Sequence, residues 1–93
     1  MDNWPFADPP NVATFTVRQI IDREHPILMV CHDDDDGSWQ FLTGNAIDMA
    51  DAMLVGLQEM VRRDPSLSQL ADLPLGWKAW RNNSNETWQR API

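Results

Sequence analysis

The residues best equipped for chemistry cluster between positions 31 and 37: Cys31, His32, four consecutive aspartates from Asp33 to Asp36, and Gly37. Carboxylates at that density suggest a calcium loop of the EF-hand kind, which needs an acidic first ligand, glycine at its sixth position and a bidentate glutamate at its last. With Gly37 in the glycine position, His32 falls first and Thr43 last, so the template fails at both ends. The run reads as a solvated hairpin tip whose charge discourages edge-to-edge association. His25 and His32 stand in no metal-ligand spacing, and no serine or cysteine occupies a nucleophile elbow. They read as surface or turn histidines, and Cys31, ending an apolar run, reads as a small buried hydrophobe. The four glycines are scattered and form no phosphate-binding loop. The expectation is a protein with no reaction, cofactor or metal site of its own.

The elements that must carry these residues follow from turn signals and periodicity. Ile27 to Cys31 is a short apolar run, and Ser38 to Thr43 alternates Trp39 and Phe41 with Ser38 and Gln40. The aspartates and Gly37 between them predict a β-hairpin, with Gly37 free to take the positive φ that a tight connection demands. Leu75 to Arg81 and Glu86 to Ala91 predict a second hairpin around Asn82 to Asn85, which sets Ala79 opposite Trp88 and Trp80 opposite Thr87. Trp80 then lies off the main core face, where it either anchors a partner or is covered by the N-terminal segment.

Met49, Ala50, Met53, Leu54, Leu57, Met60 and Val61 recur at helical spacing, so the main helix is expected over 48–63, with its methionines in the core. Asp48 and Asp51 suit the positive end of that helix, and Arg62 and Arg63 the negative end. Asp64-Pro65 is an N-cap followed by proline at the first helical position, and predicts a short helix over 65–71 with Leu67 and Leu70 inward. Val12 to Phe15 is strand-like. Thr16 to Gln19 matches a capping box and predicts a short helix over 16–23, although its β-branched residues leave a continuous strand as the rival. The fold class is therefore α+β: a small antiparallel sheet of two hairpins and about four or five strands, packed against one main helix and two short ones. Residues 1–11, rich in proline, form an extended segment open to disorder, and 12–93 a single domain.

Composition narrows the function classes. Ninety-three residues make one domain, and a chain of this size hides only about 60% of the surface its unfolded form exposes. With 43% hydrophobic residues and five tryptophans it has large apolar groups enough to fold without staples. A net charge of −7 with scattered basic residues argues against nucleic acid, whose affinity rests on lysine and arginine displacing counterions. The same charge favours encounter with a basic partner, through steering that salt screens. No apolar run approaches the roughly 20 residues of a membrane span, and the N-terminus has no basic and apolar leader pattern. With a single cysteine there can be no internal disulfide, and a cytoplasmic, reducing location is expected. Exposed sheet edges leave room for a homodimer.

The order of short motifs adds a lead. Ser38-Trp39-Gln40-Phe41-Leu42-Thr43-Gly44, then a helix, Asp64-Pro65-Ser66-Leu67, Leu73-Pro74-Leu75-Gly76 and Arg81 resemble a bacterial immunity-protein family of polymorphic toxin systems, long catalogued as a domain of unknown function. The resemblance covers about Phe15 to Arg90 and departs at the first hairpin, where Cys31-His32 precedes the aspartates in place of a basic residue. It implies a non-catalytic binder that neutralises a toxin by contact. Asp33, Asp34, Asp35 and Asp36 then become candidates to cover a basic toxin domain, with Trp80 as an apolar anchor. An interaction module of housekeeping or regulatory kind shares the same composition and is the alternative.

Overall fold

The turn signals between the apolar runs set where the chain reverses, and six short strands result. The computed structural model describes residues 4–93. Its strands are β1 (Ala13–Val17), β2 (Met29–His32), β3 (Trp39–Leu42), β4 (Ala52–Gly56), β5 (Trp77–Trp80) and β6 (Gln89–Pro92). Two α-helical pieces, α1 (Arg18–Ile21) and α2 (Leu57–Arg63), and 3-10 turns at Met49–Asp51 and Pro65–Leu70 connect them. All six strands form one mixed sheet in the order β4-β1-β3-β2-β5-β6. β1 runs parallel to β3 and every other neighbour is antiparallel. The chain is thus an α+β domain, but two hairpins do not account for its sheet: the expected strand β1 joins it parallel to β3, and β4, expected within a helix, adds a sixth strand.

Three expectations are corrected. The helix expected over 48–63 exists only as α2, because Ala52–Gly56 pairs with all five residues of β1. Gly56 in a helix interior costs about 1 kcal/mol relative to alanine, and Val55 beside it is β-branched. Pairing satisfies the open edge of β1, and Gly56 instead becomes the N-cap of α2. The capping box does not form either: the Thr16 hydroxyl donates to the Phe41 carbonyl across the sheet at 2.9 Å, while the Gln19 amide reaches Asp51 at 2.8 Å. Strand and helix therefore share that segment, with β1 running to Val17 and only one helical turn after it. The second hairpin is longer-looped than expected, with Ala79 opposite Arg90 and Trp80 opposite Gln89.

Other expectations hold. β2 and β3 form the first hairpin, and Gly37 takes φ +73° in its turn. Asp64 caps the 3-10 segment by accepting from the Ser66 N–H, and Leu67 and Leu70 are buried.

Alternation along the strands gives the sheet two faces. Val30, Phe41 and Ala79 share a register row and are 0%, 1% and 0% exposed. They join Leu57, Met60, Leu67, Leu70 and Leu73 in one core cluster, each large side chain contributing roughly 1.5–3 kcal/mol by leaving water. The N-terminal stretch closes the same cluster: Phe6 is buried and sets its ring edge-on to Trp39 at 5.3 Å, and the Trp39 indole donates to Asp8 at 2.7 Å. The first three residues of the expected lead-in lie outside the described residues. No helix among the described residues is long and apolar enough to cross a membrane.

Candidate protein-binding face

The opposite face carries Ala13, Phe15 and Val17 from β1, Gln40 and Leu42 from β3, Met29 and Cys31 from β2, Lys78 and Trp80 from β5, and Leu54 from β4. The connection from β3 to β4 passes one end of it, where Ile47 and Asp48 line a cavity of about 140 Å³ together with Val17 and Leu42, both about 5% exposed. The other end stays open. A groove of about 430 Å³ runs there, with Phe15 and Leu54 along it, Ile47 and Met49 at one side, and Asp33, Asp36, Ser38 and Gln40 at the other. Leu54 is 76% and Met49 70% exposed, unusual for large apolar groups so close together.

The acidic turn is held firmly. The Asp33 N–H donates to the Ser38 carbonyl at 2.8 Å, and the Gly37 N–H donates back to the Asp33 carbonyl at 3.0 Å. The Gln40 amide donates to both oxygens of the Asp33 carboxylate, at 3.0 and 2.8 Å, which points that group at the groove. The Ser38 hydroxyl and then its backbone N–H hold the Asp36 carboxyl below the usual carboxylate range. Asp33, Asp35 and Asp36 bring oxygens within 4.8 Å of one another. Asp34 diverges and lies beside Gly76, whose φ of +80° keeps that turn clear of a side chain. The turn presents carboxylates at fixed positions, an arrangement suited to attracting cationic side chains.

The candidates named from the sequence are thus separated. Asp33 and Asp36 line the groove and Asp35 stands beside them, whereas Asp34 leans away. Trp80 shares the open face but pairs with Met29, at the end of β2 farthest from the aspartates, and the Lys78 ammonium lies 5.7 Å from its ring. Phe15, Ile47, Met49 and Leu54 were not legible as site residues. A period of two over Ala52–Gly56 would have exposed Leu54, since it sets Leu54 on the face opposite Met53 and Val55.

The remaining reactive groups are committed to structure. His32 Nδ1 meets the Leu73 carbonyl at 2.7 Å and its ring stacks on Trp39 at 3.8 Å. Burial first, and the Asp33 carboxylate second, push the Cys31 thiol up, with Lys78 opposing. Arg81, 4% exposed, donates to the Ile27 carbonyl at 3.1 and 3.0 Å, to Ser66 at 3.1 Å and to the Asp64 carboxylate, and its guanidinium lies 4.1 Å from the Trp88 ring. This network draws Trp88 away from β5 and explains the long second loop. It also gives the Asp64-Pro65-Ser66 and Arg81 motifs a structural role. A depression of about 570 Å³ beside Ile20, Glu24, His25, Arg63 and Asp64 offers no free charge pair, because Arg63 is bound by Glu59 at 3.1 Å and Asp64 by Arg81. Comparisons with protein-family models, with curated proteins and with solved structures find no match for this chain.

Proposed function

We propose that this chain is a non-catalytic binding protein of the immunity kind, which neutralises a basic toxin domain by contact in the cytoplasm and calls for no cofactor. One observation carries the reading: an open groove on the sheet, apolar around Phe15, Met49 and Leu54, ends at the fixed carboxylates Asp33 and Asp36. Apolar area gives such a contact its affinity, and fixed charge gives it direction and rate. The net charge of −7 works in the same sense, and the order of motifs from Trp39 to Arg81 resembles immunity proteins. His32 and Cys31 support the non-catalytic part, since the one is spent on Leu73 and Trp39 and the other has its thiolate disfavoured.

The test is capture of partners by the wild-type chain and by the variant with Asp33, Asp34, Asp35 and Asp36 all changed to Asn, at low and at physiological salt. Each captured partner is then expressed alone and with the chain. The reading expects a basic partner whose capture weakens with salt and with the variant, and whose toxicity to growth the chain relieves. Capture indifferent to the four substitutions contradicts it, and a harmless partner assigns the chain to regulatory or housekeeping interaction instead.

A further inference from the structure

The two edges of the sheet are unlike. β6 ends in Pro92, which has no N–H to offer, and its Arg90 is tied to Asp72 and the Gln69 carbonyl, both at 3.1 Å. Such an edge is blunted against further pairing. β4 carries neither proline nor charge, and among the described residues no strand lies beyond it.

Backbone parity fixes which of its groups are free. The Leu57 N–H donates to the Val12 carbonyl at 2.9 Å, so the hydrogen-bonded pairs continue at Val55 with Thr14 and Met53 with Thr16. Ala52, Leu54 and Gly56 therefore turn their backbone groups outward. The Ala52 N–H is used by the Met49 carbonyl, and the Gly56 carbonyl opens α2. Among the described residues, four groups stand open along the edge: the Ala52 carbonyl, both groups of Leu54 and the Gly56 N–H. Two donors and two acceptors in alternation are what an added strand requires.

We infer that the outer edge of β4 docks an extended segment of the partner, which pairs with Ala52–Gly56, lays apolar side chains against Leu54 and Phe15, and sends basic flanking residues across the groove toward Asp33 and Asp36. This deepens the proposed function and rests on it. Charge selects the occupant: a second copy would bring another −7 to a face whose groove already holds two carboxylates across β1 and β3 from the edge, whereas a lysine- or arginine-bearing segment is attracted.

The experiment titrates the isotope-labelled chain with a capped peptide whose centre alternates valine and serine and whose two flanks are lysines, with its glutamate-flanked counterpart, and with a backbone N-methylated version of the lysine peptide. The inference expects amide shifts centred on Ala52, Leu54, Gly56 and Phe15 with the lysine peptide, and binding at least about tenfold weaker with the other two. Leu54→Pro removes the outward N–H without touching the β1 ladder and should lower affinity about tenfold. Leu54→Ser, which keeps that N–H, checks the apolar contribution should the proline variant not fold. The double variant D33N/D36N should bind with little salt dependence.

No binding of the lysine peptide, shifts centred elsewhere, or equal binding of the N-methylated peptide overturns the docking edge. Concentration-dependent shifts of the free chain at Ala52–Gly56 overturn it in favour of a second copy. If the edge fails while a toxin is still captured through Asp33 to Asp36, the immunity reading stands without it. If the peptide binds as expected and no toxin is relieved, the edge stands and that reading falls.

Discussion

Phe41 and Phe15 stand on neighbouring strands, one on each face of the sheet. Phe41 is 1% exposed under α2 and the Pro65–Leu70 turn, whereas Phe15 lies along an open groove beside Leu54. The strands and their alternation are common to both faces, and the difference comes from what the connections cover. α2, the Pro65–Leu70 segment and the N-terminal Phe6 close one side, while the loop before β4 passes only beside Val17 and Leu42 on the other. Stability is thus concentrated on one face, and the open part of the other, around Leu54, is free to change with little consequence for folding.

Substitutions can break or sharpen that contrast. The largest loss is expected from Phe41→Ala, which removes a fully buried ring and should cost about 3–5 kcal/mol in denaturant unfolding. Arg81→Ala comes next. It leaves the Ile27 carbonyl without its side-chain donor and the partly buried Asp64 without its cationic partner, at about 3 kcal/mol, and should release the loop that Trp88 covers, which the tryptophan emission would report. Leu54→Ser, on the open face, should change stability by no more than about 0.5 kcal/mol.

The smallest effect concerns pH. The Asp36 carboxyl titrates lower when folded, so its stabilising contribution is present above the ordinary aspartate range and is lost as pH falls through the lowered folded value. Ser38→Ala should return its titration, followed by carboxyl NMR, toward that ordinary range.

How far the sequence could be read depended on whether local signals and tertiary pairing agreed. At the first hairpin, Gly37 and the aspartates demanded a turn and the flanking runs alternated, so strands and loop were both legible. Asp64-Pro65 likewise fixed a helical start by local geometry alone. Ala52–Gly56 reads as helix from sequence because Met53, Leu54 and Leu57 satisfy a helical period as well as a strand, and the pairing with β1 that decides between them is more than thirty residues away in sequence. The candidate site was half visible for the same reason. Its charged end stands out as four aspartates, but Leu54 and Met49 fall at helical spacing in the sequence, which places Met49 in the core.

Amide hydrogen exchange of the free chain, resolved by residue along β4, tests most directly whether this side of the sheet is open. Met53 and Val55, bonded into β1, should be protected, while Leu54 and Gly56 exchange near the rate of unstructured amides. Equal protection at all four positions would mean that something already pairs with the edge, and would contradict an open docking surface there.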